Sequence, residues 1–365
     1  MNKFINTKKE IFLGDSYFKE HVMPEDFDYR PYKKRLSPWW EERGFRVSGI
    51  YEEFYTRMNG IRSERYIPMD IYYFYILPAL NRADFINAYI DKNIYSNLFP
   101  DVNQPKTIVK RINGKTYCMG REFDLSEAIE YVVGIDTDLI IKPTVETANG
   151  DGVDLLQSRD CEELRRIFNE YGLNFIVQEK VQQHPGLSVL NPTSLNTYRI
   201  FTYRTLEGHY VLLPFQFVRF GSLGSIKDNT SGGGQHAALS NDGFVSDQVF
   251  KFKSFHVGSL YEMKGLKDYQ VPMFAESCDM ALKMHPRLPY FDFVGWDISV
   301  DISGKPVFIE FNLLPSVEGP QLFAGPMFGD YLEEVISRCS QVEKSEILYS
   351  VNTFSNQASH LLRIS

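Results

Sequence analysis

The sequence predicts an α+β protein in which a mostly helical N-terminal region precedes two α+β lobes. Helical spacing of apolar and aromatic residues dominates the first hundred residues. The next part alternates short β-prone runs with two helices, and β-prone runs dominate thereafter. We therefore expect a helical region at 1–105, a small lobe at 106–181, a large lobe with a mostly antiparallel sheet at 182–340, and a C-terminal tail at 341–365.

The length and composition are those of a globular protein with more than one lobe. The chain has 365 residues, of which 43% are apolar and 24% are charged. The formal net charge of −8 and the lack of a Lys/Arg run argue against a nucleic-acid partner. No apolar run is long enough for a signal peptide or a membrane span, so the expected location is the cytoplasm. The pattern gives no oligomeric state.

Turn and cap residues mark the elements of the predicted small lobe. Asn113-Gly114 lies between two β-prone runs and predicts a type I′ hairpin. Asp124 with Glu127 predicts a capping box at the start of a helix. The segment 160–172 has apolar residues at i, i+3, i+4 and i+7 and ends in Gly172, which predicts an amphipathic helix.

A lysine and a glycine loop form a candidate phosphate site. Lys142 ends a predicted buried strand, where a lysine is costly to bury unless it meets an anion. Gly150 and Gly152 follow in the next loop and would let backbone N–H groups approach a phosphate. An ordinary strand-to-helix loop is the alternative. Lys110 is a second candidate cation, or an exposed lysine of an edge strand.

Three oxygen-bearing residues near the C-terminus form a candidate metal site. Two predicted strands flank the turn 303–305, with Asp297 in the first strand. Glu310 and Asn312 lie two residues apart in the second strand and therefore share a face of the sheet. Two carboxylates and an amide oxygen suit Mg²⁺, whereas a solvated sheet face would explain the same residues without a metal.

Further polar residues lie where the lobes are predicted to meet. Gln178 and Glu179 end a strand at the lobe junction and are candidates for contacting an adenine ring. Arg199 and Arg219 lie in the middle of strands, where each would hold a phosphate or carboxylate, or form an internal salt bridge.

A polar, glycine-rich stretch is a candidate loop over the reacting groups. Asp228 and Asn229 precede three consecutive glycines at 232–234, more than a hairpin turn requires. We interpret the stretch as a flexible loop.

Taken in order, these motifs resemble the ATP-grasp superfamily. The residues that carry the resemblance are "IDKNIYSNLFPDVNQPKT", "IIKPTVETANGDGV", "VQEKV" and Asp297 with Glu310-x-Asn312. The words "QHPGLSVLNPTSLNTYRI", "VRFG", "DNTSGGG" and "GWDISV" are similar to those of the sugar-transfer-associated ATP-grasp proteins of polysaccharide loci.

The resemblance implies two lobes that clasp ATP, with Mg²⁺ on Asp297, Glu310 and Asn312. It extends the adenine hinge to Lys180 and Val181. The acidic ribose-binding residue of the superfamily has no clear counterpart, so one residue of 182–184 would stand in for it.

The implied reaction joins a carboxylate to an amine through an acylphosphate, with ADP as a product. Arg199 and Arg219 would orient the carboxylate or stabilise the acylphosphate and its tetrahedral successor. Asp228 and Asn229 would position the acceptor or bind a second metal. The substrates would be small-molecule acids and amines, with a sugar, uronic acid or glycan precursor among them. Two alternatives remain at this point: an ATP-dependent kinase of a sugar or polyol hydroxyl, with Asp228 as base, and a non-catalytic nucleotide-binding partner protein.

Overall fold

A computed structural model describes residues 4–145, 152–222, 224, 234–251 and 255–339. Helices and antiparallel sheets make up this part of the chain, which confirms the predicted α+β class. The predicted tail at 341–365 lies outside the described residues, and the domain boundaries stay predictions. Within the described ranges, no helix combines the length and the apolar character that crossing a bilayer requires.

The N-terminal region is helical, as expected. Its helices are α1 (Lys8–His21), α2 (Pro38–Glu42), α3 (Ile50–Asn59), α4 (Met69–Ile71), α5 (Leu77–Leu80), α6 (Ala83–Tyr89) and α7 (Tyr95–Leu98). A π-helical turn, Tyr72–Ile76, joins α4 to α5. Two consecutive tyrosines of that turn reach the segment after the last strand, since the Tyr72 hydroxyl donates to the Pro315 carbonyl and the Tyr73 hydroxyl donates to Glu318.

The small lobe is a six-stranded antiparallel sheet with two helices. Its elements are β1 (Thr107–Ile112), β2 (Lys115–Cys118), β3 (Arg121–Phe123), α8 (Leu125–Val133), β4 (Leu139–Pro143), β5 (Asp154–Leu156), α9 (Cys161–Tyr171) and β6 (Phe175–Glu179). The strand order is β3-β2-β1-β6-β4-β5. The predicted hairpin and capping box are present, with positive φ at both Asn113 and Gly114. The short strands β3 and β5 were not predicted, because three residues are too few to show an alternation.

The large lobe is an eight-stranded sheet whose pairs are all antiparallel, as predicted. Its elements are α10 (Pro185–Ser188), β7 (Thr197–Arg204), β8 (Tyr210–Leu212), β9 (Gln216–Phe220), β10 (Gln235–Leu239), β11 (Val245–Lys251), β12 (Phe255–Ser259), α11 (Leu260–Lys264), α12 (Phe274–Met284), β13 (Phe293–Val300), β14 (Pro306–Asn312), α13 (Glu318–Ala324) and α14 (Leu332–Cys339). The strand order is β12-β11-β10-β9-β7-β13-β14, and β8 pairs with β7.

Two hydrophobic cores hold the described residues together. The small lobe has its own core around Val109, Phe168 and Phe175. The other core is continuous from the N-terminal helices, including Trp40, to the large sheet, including Trp296. Because the helical region shares its core with the large lobe, it is part of the scaffold that supports the long central strands.

A buried carboxyl group in the N-terminal region makes stability depend on pH. Asp70 is 3% exposed and accepts a hydrogen bond of 2.9 Å from Asn6 Nδ2. Burial raises the pKa of Asp70 to about 7 from a usual 3.8, and the nearby Asp15 adds to the rise. Folding therefore binds a proton in the interval between these values, so stability falls as pH rises from about 4 to 7.

We expect Asp70→Asn to remove this dependence, because the amide stays neutral and its oxygen still accepts from Asn6. The free energy of unfolding should rise by roughly 1–3 kcal/mol relative to wild type at high pH and change little at low pH. Urea unfolding at mildly acidic and mildly alkaline pH measures the difference. The control is Asp84→Asn, at a carboxylate that pairs with Arg82 near the surface. An equal effect of Asp70→Asn at both pH values would contradict the prediction.

Candidate functional site

The two C-terminal strands bring the predicted metal ligands together. β13 and β14 pair so that Asp297 lies opposite Glu310 and Gly295 lies opposite Asn312. The three oxygen-bearing side chains are therefore neighbours on one face of the large sheet. Asn312 Oδ1 accepts a hydrogen bond of 2.9 Å from the Leu314 backbone N–H, which fixes the amide at the end of the strand.

Two arginines from neighbouring strands hold the Asp297 carboxylate. Arg199 lies opposite Asp297 in β7, and its Nε and Nη2 reach the two carboxylate oxygens at 2.5 and 3.0 Å. Arg219 of β9 places Nη2 3.0 Å from Oδ2. The side chains of Asp297, Arg199 and Arg219 are 2%, 11% and 14% exposed. The sequence left two alternatives for these arginines, an anion-binding site or an internal salt bridge, and the salt bridge is present. Two guanidinium groups share one carboxylate, so the three side chains together carry a net positive charge.

The two arginines also decide the ionisation of Asp297. Burial alone would raise the pKa of this carboxyl group, but Arg199 and Arg219 hold it below its usual range. Asp297 is therefore a carboxylate at neutral pH. An anionic Asp297 directly opposite Glu310 is an unfavourable like-charge pair unless cations lie beside it.

Lysines from the other side of the cleft approach Glu310. Lys92 Nζ lies 3.8 Å from Glu310 Oε2. Lys142 is 7% exposed, and none of the carboxylates in the described ranges forms an ion pair with it. Burial and, to a smaller extent, the charge of Lys92 lower the pKa of Lys142 to about 8, and Glu310 opposes the shift. The two lysines and Glu310 thus interact across the cleft.

The segment that carries Lys92 connects the two lobes. The Lys92 backbone N–H donates to the Thr144 carbonyl at 3.2 Å, just after β4. Lys110 Nζ, from β1, donates to the Asn93 carbonyl and the Ser96 hydroxyl at 2.6 Å each. On the other side, the Tyr95 ring packs against rings of β14. Lys110 therefore braces the connecting segment in this structure and lines the cleft beside it.

Gln178 presents an unsatisfied buried oxygen to the cleft. Its Nε2 donates to the Pro105 carbonyl and the Thr107 hydroxyl at 3.3 Å each. Its Oε1 is buried and makes no hydrogen bond within the described residues. A buried acceptor in this state is costly unless a donor reaches it. Gln178 lines the same cleft as Lys142 and Ile309.

The rest of the predicted hinge is partly engaged within the fold. The Glu179 and Lys180 backbone N–H groups donate to the Lys106 and Asp138 carbonyls. The Glu179 side chain forms an ion pair with Lys106 at 2.7 Å, and the Lys180 side chain lies 3.8 Å from Asp138. Val181 follows β6 and is half-buried.

The residues proposed to replace the ribose-binding acid also have internal contacts. Gln183 donates to the carbonyls of Asn191 and Ser194, and His184 Nδ1 accepts from the Gly186 N–H. Gln182 is exposed.

Gly152 has a structural reason to be glycine. Its φ is +75°, and a Cβ atom there would lie 2.7 Å from the Pro143 ring. Its carbonyl accepts a hydrogen bond of 2.8 Å from the Tyr171 hydroxyl. The positive φ and the close Pro143 ring explain the glycine without a phosphate. Gly150, Asp228 and Asn229 lie outside the described residues.

Two residues near the site were not predicted from the sequence. Lys92 is part of the quoted segment "IDKNIY", and the Asp91-Lys92 pair could have indicated it. His236 lies opposite Arg219 in β10 and is 8% exposed. Burial, with Arg219 and Arg199 nearby, lowers the pKa of His236 to about 3, so this imidazole is neutral. An isolated histidine gives no such signal in a sequence.

The protein groups at the predicted metal site fit a cation that also binds phosphate. Within the described ranges, no cluster of three or more His, Cys, Asp or Glu residues could enclose a metal. The site instead offers two carboxylates and one amide oxygen. Mg²⁺ is commonly bound in this way, with water and substrate phosphates completing its shell.

Comparison with known proteins identifies the family. Residues 75–336 match the family model of the sugar-transfer associated ATP-grasp proteins. No curated protein sequence gives a significant match.

Solved structures with a similar fold are distant. One is the ATP-grasp ligase PsnB complexed with minimal precursor, at 14% identity and a TM-score of 0.41, covering 70% of this chain and 62% of that chain. Another is the biotin carboxylase domain of 2-oxoglutarate carboxylase from Hydrogenobacter thermophilus, with MgADP, ADP and bicarbonate, at 12% identity and a TM-score of 0.45, covering 73% and 48%. A third is the D-alanine–D-alanine ligase from Bacillus anthracis, at 14% identity and a TM-score of 0.38, covering 70% and 69%.

This chain therefore spans less than two thirds of the PsnB structure. The family assignment depends on the match of the family model, which extends over most of the chain. The protein belongs to the sugar-transfer associated ATP-grasp family.

Proposed function

We propose that this protein is an ATP-dependent ligase that joins a carboxylate to an amine through an acylphosphate. The cofactors are ATP and Mg²⁺, as expected for a member of an ATP-grasp family. The acid or the amine belongs to a sugar, uronic acid or glycan precursor. One observation carries the proposal: Lys92 and Lys142 face Glu310 across a cleft. On its own sheet, Glu310 lies beside Asp297, Arg199 and Arg219, which we call the arginine–aspartate cluster.

The phosphate groups of ATP would lie between the small lobe and β14. Lys142 is buried with its charge poorly compensated, and Lys92 repels it. A polyphosphate between the two lysines would remove that repulsion and release Lys92 from Glu310. Lys110 lines the same cleft and would add a third positive charge.

The adenine ring would lie against β6 and the start of the hinge. Gln178 Oε1 is a buried acceptor that an exocyclic amino group would satisfy. Because Glu179 and Lys180 use their backbone N–H groups within the fold, we propose that the hinge contributes carbonyl groups and the backbone of Val181.

The metal would bind where β13 and β14 face the lysines. Glu310 and Asn312 would be its main protein ligands, since the Asp297 oxygens already accept three hydrogen bonds or ion pairs from arginines. Asp297 keeps a remaining lone pair for the metal and places the arginines. When bound, Mg²⁺ would neutralise charge that develops on the phosphoryl oxygens.

The arginine–aspartate cluster would receive the carboxylate of the substrate. Arg199 and Arg219 share one Asp297 carboxylate, so the cluster retains a positive charge in a largely desolvated position. A bidentate guanidinium matches a carboxylate or acylphosphate in geometry and charge. Transfer of the γ-phosphoryl group to the carboxylate gives an acylphosphate and ADP, and attack by the amine then gives an amide and inorganic phosphate.

Asp297 and the nearby His236 are poor candidates for the base that a kinase would need. A kinase needs a base beside the hydroxyl, with a pKa near the working pH. Arginines hold the pKa of Asp297 low, and burial lowers the pKa of His236 to about 3, so both are weak bases. Asp228, the base of the kinase alternative, lies outside the described residues. The roles of Asp228, Asn229 and Gly150, and the cytoplasmic location, stay predictions.

An incubation with hydroxylamine distinguishes the ligase, the kinase and the non-catalytic nucleotide-binding protein. The protein would be incubated with Mg-ATP, hydroxylamine and panels of amino acids, uronic acids and polyols. Acid-dependent hydroxamate with ADP supports the ligase, because hydroxylamine traps an acylphosphate. ADP release that depends on an alcohol would support the kinase, and tight nucleotide binding without turnover would support a non-catalytic partner.

We expect Glu310→Gln to reduce Mg-ATP turnover by about 100-fold or more, because the metal and the charge balance at Lys92 depend on this carboxylate. The measurement is ADP release at saturating Mg²⁺. Glu170→Gln, at an exposed residue of α9, is the matched control. Turnover equal to wild type in a folded Glu310→Gln protein would remove Glu310 from the metal site.

We expect nucleotide affinity to fall as pH rises through the pKa of Lys142, which is about 8 in the free protein. The charged form is favoured when phosphate is bound, so the free protein must take up a proton above that pH. Affinity should decrease by roughly 10-fold between pH 7 and 9. Calorimetric titration checks this, and Lys142→Arg should flatten the profile because arginine stays charged. Parallel profiles of wild type and Lys142→Arg would count against the assignment.

A further inference from the structure

A buried polar network lies between the hinge and the arginine–aspartate cluster. We call Asn191, Ser194 and Asn196 the polar hub. They are 0%, 2% and 0% exposed, and they occupy the "NPTSLN" word, whose role the proposed function leaves open. Buried polar side chains of this kind are costly unless their hydrogen bonds are satisfied.

Ser194 uses its full hydrogen-bonding capacity. Its hydroxyl donates to Asn196 Oδ1 at 2.8 Å. The same oxygen accepts from Asn191 Nδ2 at 2.9 Å and from the Gly221 backbone N–H at 3.0 Å. A serine hydroxyl offers one donor and two acceptor positions, and all three are occupied here.

The hub is tied to the segment that follows the hinge. Gln183 Nε2 donates to the Asn191 and Ser194 carbonyls at 2.9 and 2.8 Å. Gln183 Oε1 accepts from the Asn196 backbone N–H at 3.1 Å. The chain that leaves β6 is thus fixed to the hub two residues after Val181.

The hub is also tied to three strands of the large sheet. β7, which carries Arg199, begins at the residue after Asn196. β9, which carries Arg219, ends one residue before Gly221, the partner of Ser194. In β13, the Ser299 hydroxyl donates to the Asn196 carbonyl at 2.8 Å, two residues from Asp297.

We propose that the polar hub is a positioning device that sets the arginine–aspartate cluster, and through it the metal site, against the nucleotide hinge. The positioning residues are Ser194, a member of the hub, and Ser299, which binds the hub from β13. The links through Gln183, Gly221 and Ser299 lead to segments that adjoin or carry proposed site residues. One further link ties the hub to α10, since Asn196 Nδ2 donates to the Leu187 carbonyl at 2.8 Å. The inference rests on the proposed function for the roles of these residues.

The physical reason is that a metal site tolerates only small displacements of its charged groups. Asp297 accepts from guanidinium groups of two strands, so a small slide of β7 or β9 against β13 would disturb the charges beside Glu310. Groups that hold metal ligands in place typically contribute 10–100-fold to metal affinity. Adenine contacts on β6 lie in the small lobe and should be less sensitive.

The test compares single hydroxyl deletions. Ser194→Ala and Ser299→Ala loosen the hub, whereas Ser277→Ala removes an equally buried hydroxyl, 0% exposed, whose hydrogen bond of 2.7 Å goes to the Met273 carbonyl at α12. ADP binding to the full chain would be titrated by calorimetry, first with a chelator and then at increasing Mg²⁺, at a temperature where every variant is folded.

We expect the Mg²⁺ concentration that half-saturates the gain in ADP affinity to rise about 10-fold in Ser194→Ala and Ser299→Ala. Metal-free ADP affinity should stay within about 2-fold of wild type, because the adenine contacts are unchanged. Ser277→Ala should change neither value, even where its melting temperature falls as much as that of Ser299→Ala.

Three results would overturn the proposal: a wild-type Mg²⁺ midpoint in both hub variants, an equal shift in Ser277→Ala, or a wild-type ADP affinity that does not respond to Mg²⁺. This experiment measures the binding of ADP and Mg²⁺ and does not depend on ligation. A failure to form hydroxamate would therefore refute the proposed reaction without affecting this result, and an unchanged midpoint would refute the hub alone.

Discussion

The buried carboxylate of Asp297 imposes the constraint on which the site depends. A carboxylate that is 2% exposed must be compensated, and Arg199 and Arg219 provide that compensation from two other strands. The register of β7, β9 and β13 is thereby fixed at the point where the chemistry is proposed. Replacing Asp297 would take the shared carboxylate away from two largely buried guanidinium groups, so the three side chains form one structural unit.

The charges of the cleft follow from this cluster. Glu310 lies between a carboxylate on its own sheet and two lysines from across the cleft, and the lysines repel each other. Such an arrangement is poorly balanced by protein groups alone. A polyphosphate with a divalent cation would supply negative charge to the lysines and positive charge to the carboxylates, and this balance supports the proposed binding of Mg-ATP.

The parts of the fold that bear no proposed ligand still place the site. The helical N-terminal region shares a core with the large sheet, and its π-helical turn sends Tyr72 and Tyr73 to the segment that follows Asn312. The connecting segment at 92–98 is bonded to β1 and packed on β14. The polar hub completes the set by joining the hinge to the strands of the cluster. Each of these links is non-local in sequence.

The sequence by itself determined the α+β class, the capped helix at Asp124, the hairpin at Asn113-Gly114 and the two strands that carry Asp297 and Glu310. These depend on local patterns: alternation along a strand, turn residues with positive φ, and a cap three residues from its partner. The strands β3 and β5 were not predicted, because a strand of three residues is too short to show an alternation.

Only the tertiary structure decided that Arg199 and Arg219 share Asp297, that Lys92 reaches Glu310, that Gly152 is required by Pro143, and that "NPTSLN" is a buried network. In most of these cases the partner lies on another element that is far away in the chain. A sequence pattern records which residues could pair, but distances between strands and the cost of burying a charge decide which of them do.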